Sequence, residues 1–238
     1  MTYGEIEALK PLSMEIEEGE TVALLGPSGS GKTTLLSLIA GEISPTSGSI
    51  RLGERELSQL RPGRELAAAV GMIHQQFDLV PHLSTLQNVL AGRLGQWSFA
   101  LSLISLAWPI ERDLAYSALN RVGVQERASI RASRLSGGEQ QRVAIARLLL
   151  QDPALVLADE PVSSLDPARA EEILALLVGT FSEAGKTLVA SIHLVDLARK
   201  HFDRLIGLRN GELQFDLRSE DVTDSMLSEL YDLGGLRA

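Results

Sequence analysis

The stretch TVALLGPSGSGKTTLLSLIA, residues 21–40, decides the fold of this chain. Its first five residues form a short apolar run typical of a buried strand, and KTTLLSLIA at its end has the period of a helix. Between them, GPSGSGKT (26–33) fits the pattern G-x-x-x-x-G-K-[ST]. Glycines let backbone N–H groups turn toward a polyphosphate, and the start of a helix adds a partial positive charge. The stretch therefore predicts a nucleotide site between a strand and a helix.

Side chains of this loop supply the rest of the predicted ATP site. Lys32 can reach the β- and γ-phosphates, and the hydroxyl of Thr33 can bind Mg²⁺. The other predicted ATP contacts are Gly26, Pro27, Ser28, Gly29, Ser30, Gly31 and Thr34. A glycine turn that only caps a helix is the alternative, but the pattern arises by chance in about 1% of chains of this length. Nucleotide binding is therefore the favoured interpretation.

A second predicted site lies in LVLADE, residues 155–160, where an apolar run ends in two carboxylates. In a parallel α/β sheet, ligands bind at the carboxyl ends of the strands. Adjacent strand residues point to opposite faces, so the two acids are expected to take different roles. Asp159 is predicted to hold the Mg²⁺ shell and Glu160 to polarise the attacking water. The alternative is a pair of acids that ends a strand in solvent.

The order of elements predicts an α/β fold. Buried strands are expected in AAAVGMIHQQ (67–76) and KTLVASIH (186–193), a helix over 167–185, and a hairpin in DRLIGLRNGELQFD (203–216) around Asn210–Gly211. An outer strand follows the turn in SPTSGSIRLG (44–53), and residues 83–151 have mostly helical period. Apolar strands that alternate with helices indicate a parallel sheet covered on both faces.

Composition narrows the possible functions. The net charge of −9 argues against a general affinity for nucleic acid, which is bound through excess Lys and Arg. The chain has no cysteine, which excludes disulfides and thiolate metal sites. No signal peptide is visible, and no run reaches the roughly 18 to 20 apolar residues of a membrane-spanning helix.

The segment RLSGGEQQRVAIARLLL, residues 134–150, places serine and two glycines before a helix, where free N–H groups can meet an anion. With the loop upstream and LVLADE downstream, this chain resembles the ABC transporter ATPase family over nearly its whole length. The resemblance implies a single ABC ATPase domain over 1–238. It combines a P-loop NTPase core with a parallel sheet, an antiparallel β outer subdomain, and an inserted α-helical subdomain with the signature over about 77–152. The signature residues are Leu135, Ser136, Gly137, Gly138 and Glu139.

The resemblance also implies roles for residues outside these motifs. Gln75 matches the Q-loop glutamine that contacts Mg²⁺ and the permease, and His193 matches the switch histidine that senses the γ-phosphate. Tyr3 matches the aromatic residue that stacks on adenine. The family has another strand before that tyrosine, so either an edge strand is absent here or the chain start is assigned late. The residues implied for the D-loop at the dimer interface are Ser164, Leu165 and Asp166.

The implied assembly is a head-to-tail homodimer. ATP held by Lys32 and Thr33 of one subunit is covered by the signature of the other, with Glu160, His193 and Gln75 as catalytic residues. The subunit is then a peripheral protein on the cytoplasmic face of the inner membrane. Its implied partners are an integral membrane permease and, indirectly, a substrate-binding protein, with no nucleic acid.

The cargo is suggested by residues between the ATP motifs. QQFDLVPHLSTLQNVLAGRLG (75–95), followed by an extended helical segment over 97–124, resembles the phosphonate-import branch of the family. Phosphate, phosphite or another small oxyanion remain alternatives. A lipoprotein-release or export ATPase and a non-transport ABC protein share the same ATP motifs and are the rival hypotheses.

The run WSFALSLISLAWP, residues 97–109, holds both tryptophans of the chain. As a helix it would place Ser98, Ser102 and Ser105 on one narrow stripe beside an apolar stripe that includes Ile104. Two interpretations are open. The helix packs inside the helical subdomain, or part of it stays exposed in the single subunit and meets the permease.

Overall fold

The structure, a computed structural model, describes residues 1–3, 6–107 and 110–231. The strands are, in chain order, β1 (Thr2–Tyr3), β2 (Ile6–Glu7), β3 (Thr21–Leu25), β4 (Arg51–Leu52), β5 (Arg55–Glu56), β6 (Val70–Ile73), β7 (Leu155–Asp159), β8 (Thr187–Ser191), β9 (Arg204–Arg209) and β10 (Glu212–Arg218). Six of these strands form the main sheet, in the order β10-β9-β3-β8-β7-β6. From β9 to β6 every neighbouring pair is parallel, as the sequence predicts.

Helices connect these strands. They are α1 (Lys32–Ala40), α2 (Arg64–Ala69), α3 (Thr85–Leu90), α4 (Phe99–Ala107), α5 (Arg112–Arg121), α6 (Gly137–Gln151), α7 (Pro167–Glu183), α8 (Val195–His201) and α9 (Asp224–Tyr231). Short 3-10 turns occupy Leu57–Gln59, Ala91–Arg93, Gln125–Arg127, Ala132–Arg134 and Ser219–Asp221. The segment between β6 and β7 is helical, and α3, α5 and α6 pack against one another there.

The sheet is covered on both faces. Along β3, Ala23 and Leu25 belong to one buried apolar cluster, whereas Val22 and Leu24 belong to another. The first cluster takes side chains from α6 and α7, and the second takes them from α1. Because successive strand residues point to opposite faces, one apolar strand contributes to two cores. This confirms the predicted parallel sheet between two helical layers.

The antiparallel strands are shorter than those of the main sheet, apart from one hairpin. β9 and β10 are joined by Asn210 and Gly211, whose φ angles are both positive at 50° and 74°. This geometry suits a two-residue hairpin turn, which confirms the predicted turn. β1 pairs with β2, and β4 with β5, as separate two-stranded antiparallel sheets.

One strand prediction is wrong at its start. The sequence predicts a strand over residues 67–76, but residues 67–69 end α2 and only Val70–Ile73 form β6. Three consecutive alanines favour a helix, since alanine loses no side-chain entropy there. The strand therefore begins at the first β-branched residue of the run.

Helix α4 leaves apolar side chains exposed. Leu103 and Ile104 retain 53% and 54% of their accessible surface, whereas Ser105 is buried and donates a hydrogen bond to the carbonyl of Ser102. Trp97 is half-buried against the first of the two apolar clusters, which is the main core, while Trp108 lies outside the described residues. Of the two interpretations of this run, the exposure of Leu103 and Ile104 fits the one in which part of the helix stays exposed in the single subunit. Among the helices of the described ranges, none combines the length and the apolar character of a membrane-spanning segment.

Candidate nucleotide-binding site

Four parallel strands end at the same edge of the main sheet. The loop 26–31 follows β3, Glu160 follows β7, His193 lies two residues beyond β8, and Gln75 lies two residues beyond β6. Because neighbouring parallel strands share their direction, these four segments meet at the carboxyl edge of the sheet. The fold thus brings together residues that are up to 167 positions apart, from 26 to 193.

The glycine loop needs glycine at two positions for reasons of space. Gly26 has φ 145°, and a Cβ there would lie 2.0 Å from the carbonyl oxygen of Leu208. Gly31 has φ 105°, and its Cβ would lie 2.8 Å from the carbonyl oxygen of Ala8. Only glycine combines these φ angles with such close backbone contact. The loop therefore enters α1 with its backbone fixed against two neighbouring segments.

Lys32 points back into this loop. It is 5% exposed, and its Nζ donates hydrogen bonds to the carbonyls of Gly26 at 2.8 Å and Pro27 at 3.0 Å. Burial lowers the pKa of Lys32, and the negative charges of Glu160 and Asp159 partly oppose that shift. The ammonium is thus desolvated and lies within electrostatic reach of the two carboxylates at the end of β7.

The two acids at the end of β7 have different surroundings. Asp159 is buried, and its Oδ1 accepts a hydrogen bond of 2.7 Å from the hydroxyl of Ser191. Glu160 leaves the strand at φ 47°, and its backbone N–H donates to the same hydroxyl at 2.8 Å. Ser191 therefore holds both residues at the neighbouring strand end. This serine is not among the residues predicted from sequence, although its position at the end of the apolar run in β8 was a usable signal.

The residues predicted as catalytic are connected by short contacts. His193 Nε2 lies 2.5 Å from Glu160 Oε1. Gln75 Nε2 donates to the hydroxyl of Ser163 at 3.4 Å, and that hydroxyl donates to the carbonyl of Glu160 at 3.2 Å. His193 is therefore linked to Glu160 directly, and Gln75 is linked to it through Ser163.

The signature lies on the surface of the single chain. Leu135 is buried and anchors it, whereas Ser136 and Gly137 are exposed and Gly138 is half-buried. An exposed pair of N–H-bearing residues at the start of a 15-residue helix can meet an anion from outside the chain.

A capping box fixes the first turn of α6. Oε2 of Glu139 accepts from the backbone N–H of Ser136 at 2.8 Å and from its hydroxyl at 2.9 Å, and Ser136 Oγ accepts from the N–H of Glu139 at 3.4 Å. Arg127 Nε donates to the other carboxylate oxygen at 2.7 Å. The backbone N–H of Ser136 is the main cause of the lowered pKa of Glu139, and Arg127 also contributes. Glu139 is therefore an ionised cap.

The remaining predicted site residues are placed as follows. Asp166 caps α7 by accepting from the N–H of Arg169 at 3.2 Å, Ser164 is exposed, and Leu165 packs partly buried on the main core. The backbone of Tyr3 pairs within the β1–β2 sheet, but its side chain lies outside the described part of the chain. Adenine stacking by Tyr3 therefore stays a prediction.

Two further contacts hold the site and were missed by the sequence analysis. Arg147, on α6, donates to the carbonyls of Asp78 at 2.7 Å and Phe77 at 2.9 Å, directly after the Gln75 segment. The hydroxyl of Tyr231 accepts from the N–H of Gly26 at 3.1 Å. Arg147 and Tyr231 are 69 or more positions from the backbone they contact, so no local pattern signals them.

Comparison with known proteins matches this geometry. A family model described as ABC transporter matches residues 9–163, which include the glycine loop, Gln75, the signature and LVLADE. The chain belongs to the ABC transporter family. Two solved structures of one bacterial ABC transporter cassette share 34% identity with it: a dimeric structure, and a dimeric post-hydrolysis state bound to ADP and Pi. Their TM-scores are 0.78 and 0.76, and each covers over 90% of both chains.

Curated relatives of this ABC cassette carry a more specific name. Phosphonates import ATP-binding protein PhnC of Anaeromyxobacter dehalogenans is 47% identical over 97% of the chain, which spans only 46% of that relative's length. PhnC of Pseudomonas putida is 43% identical over 97% of the chain and 87% of its own length. With the family and the fold in place, the chain is an ABC-type ATPase.

Proposed function

We propose that this chain is the ATP-hydrolysing subunit of a membrane importer for phosphonates or a related small oxyanion. The observation that carries the ATPase role is the meeting of buried Lys32 with the Glu160–His193 pair at the carboxyl edge of the sheet. The identity of 43–47% with relatives named for phosphonate import supports the cargo class.

In the proposed reaction Lys32 exchanges its loop carbonyls for the oxygens of the β- and γ-phosphates. Glu160 accepts a hydrogen bond from the attacking water and orients it toward the γ-phosphorus. His193, which contacts Glu160 in the free chain, would change partners and bind the γ-phosphate. The protein thus supplies position and charge neutralisation, which are the main requirements of phosphoryl transfer.

The predicted Mg²⁺ ligands suit that ion. Thr33, Asp159 and Gln75 offer a hydroxyl, a carboxylate and an amide oxygen, which are the hard oxygen donors that Mg²⁺ prefers. Within the described ranges, no three or more His, Asp or Glu side chains form a cluster that could hold a metal ion. A site with one carboxylate suits an ion that binds together with substrate phosphates. There the ion would neutralise charge on those phosphates.

The proposed active unit is a head-to-tail homodimer. The exposed signature of each chain, with Ser136, Gly137 and Gly138, would cover ATP held by the loop of the other, and Ser164 to Asp166 would line the same interface. The exposure of Ser136 and Gly137 in a single chain supports this arrangement. Closure would exclude water and complete two equal sites.

The proposed permease contact lies beside the Q-loop. A groove of about 290 Å³ is lined by side chains from α2, β6 and the end of α6, and by His74, the residue before Gln75. Movement of the helical segment 77–152 would pass to the permease through this groove. The subunit would then sit on the cytoplasmic face of the membrane, and the permease with its binding protein would choose the cargo.

Reconstitution tests this proposal. We expect the chain to copurify with its permease, and ATP hydrolysis in proteoliposomes to rise when the binding protein carries methylphosphonate. The empty binding protein, and a complex with Glu160→Gln, serve as matched controls that should give no stimulation. Stimulation by a lipoprotein substrate or by nucleic acid instead would contradict the proposed function.

A further inference from the structure

We infer that Arg127 is a positioning residue for the contact that Ser136 makes with ATP across the dimer, acting through Glu139. This inference rests on the proposed function, because it requires the signature to cover the partner's ATP. Arg127 lies in the 3-10 turn Gln125–Arg127, outside the signature segment itself. Its role is to hold and neutralise the carboxylate that orients the signature serine.

The two carboxylate oxygens of Glu139 accept hydrogen bonds from different residues. Oε1 accepts from Arg127 Nε at 2.7 Å, which leaves Oε2 to accept from both the N–H and the hydroxyl of Ser136, at 2.8 and 2.9 Å. The carboxylate is therefore clamped between the arginine and the serine. If Arg127 were absent, Glu139 could rotate and the Ser136 hydroxyl would lose its fixed direction.

Charge gives Arg127 a second effect on the same contact. A polyphosphate that approaches Ser136 also approaches the carboxylate of Glu139, and like charges repel. The guanidinium of Arg127 offsets that charge and weakens the hold of Glu139 on the serine proton. The hydroxyl of Ser136 can then donate to a phosphate oxygen instead. With Arg127 in place, an acidic cap is compatible with anion binding.

A neutral version of the same cap exists elsewhere in the chain. Ser84 caps α3, and Gln87 Oε1 accepts from its N–H and hydroxyl at 3.0 Å each, while Ser84 Oγ accepts from the N–H of Gln87 at 3.2 Å. The hydrogen-bond pattern at the start of α3 matches that at α6. An uncharged side chain therefore makes this cap, so a glutamine at 139 would preserve the geometry without the charge.

A double-mutant cycle tests the inference, because it measures coupling between Arg127 and Glu139. The parent is Glu160→Gln, in which we expect ATP-bound dimers to accumulate because hydrolysis is slowed. The readout is the ATP-driven dimerisation constant. We expect Arg127→Ala to weaken dimerisation about fivefold in this parent. We expect it to have no effect once Glu139→Gln is also present, and Arg127→Lys to restore part of the loss.

Matched measurements separate this role from a general effect on the fold. Arg121, 47% exposed against 48% for Arg127, bonds the carbonyl of Thr180 and makes a longer ion pair with Glu183. Arg121→Ala should leave dimerisation unchanged. In the monomer, Arg127→Ala should leave ADP affinity and the urea midpoint as they are, since it acts only on the partner's ATP.

Three results would overturn the inference. Dimerisation that is insensitive to Arg127→Ala would remove the role of Arg127 and leave the proposed function intact. An equal loss in the parent and the Glu139→Gln background would show that Arg127 acts directly or through the fold, not through Glu139. A parent that forms no dimer with ATP would overturn the proposed function, and this inference with it.

Discussion

The nucleotide loop and the signature are both glycine-containing turns ahead of a helix, but the chain builds them differently. The loop is held by tertiary contacts, with Gly26 against Leu208 and Gly31 against Ala8. The signature is held mainly by its own sequence neighbours, since Ser136 and Glu139 cap each other three residues apart. Gly26, Ser30 and Lys32 of the loop are buried, whereas Ser136 and Gly137 of the signature face solvent.

The two helix starts also differ in what they offer a phosphate. α1 begins after Gly31, which has no side chain with which to cap the first N–H groups. α6 begins after Ser136, whose hydroxyl already serves the N–H of Glu139. The first N–H groups of α1 are therefore not occupied by a capping side chain, although Lys32 must exchange its loop carbonyls for a phosphate. At the signature, the capping serine itself must exchange an internal contact for an external one. This difference suits a site in which the loop of one chain holds ATP and the signature of a second chain then covers it.

The largest expected effect comes from Glu160→Gln, which tests whether hydrolysis depends on the site around the nucleotide loop rather than on the signature. The amide keeps the shape of the carboxylate and its contact with His193 but cannot orient water as a base. We expect turnover to fall about 10²- to 10⁴-fold while ATP still binds. Phosphate release and direct ATP titration measure the two effects. Glu172→Gln, an exposed acid paired with Arg142, is the control, and full ATPase activity in Glu160→Gln would remove Glu160 from the role of base.

Lys32→Ala tests the claim that the loop binds phosphate by itself. Removing the buried ammonium takes away charge-assisted hydrogen bonds, so we expect ATP binding to a single chain to weaken about 10- to 100-fold. Calorimetric titration of the monomer gives the affinity. Lys10→Ala, which removes only an exposed pair with Glu212, should bind as the unmodified chain does. Equal affinities for the two variants would refute the loop assignment.

Most of the site around the nucleotide loop was predictable from sequence, because its residues fall in short motifs beside strong apolar runs. β3 and α1 begin and end where the sequence predicts, and Glu160 and His193 meet because parallel strands align their ends. The supports of the site were not predictable, because Arg147 and Tyr231 reach backbone far away in sequence. The burial of Ser105 and exposure of Ile104 in α4 likewise depend on tertiary packing that helical period alone does not determine.

Arg147→Met removes a contact between α6, which begins at the signature, and the segment that follows Gln75. Arg147 lies about 15 Å along α6 from the signature and holds the carbonyls of Phe77 and Asp78, which both have positive φ. Methionine fills the same space but donates no hydrogen bonds, so we expect the free energy of unfolding to fall by about 2 kcal/mol. Urea denaturation measures this loss. Arg131→Met, at an exposed position, is the matched control, and equal midpoints for the two variants would contradict the expectation.

Tyr231→Phe should have the smallest effect, because it removes one hydroxyl behind the loop. The N–H of Gly26 would lose its acceptor in a buried place, which costs about 1 kcal/mol of unfolding free energy. Burial raises the pKa of Tyr231, so the hydroxyl is neutral at physiological pH and the contact does not vary with pH there. Tyr116→Phe, which loses only an exposed contact with Arg112, should cost less in the same urea titration.

Because the loop has further tertiary contacts through Gly31, ATP affinity should stay unchanged in Tyr231→Phe. A clear loss of affinity would show that α9 also sets the loop geometry, and the loop would then depend on distant contacts more than its motif indicates.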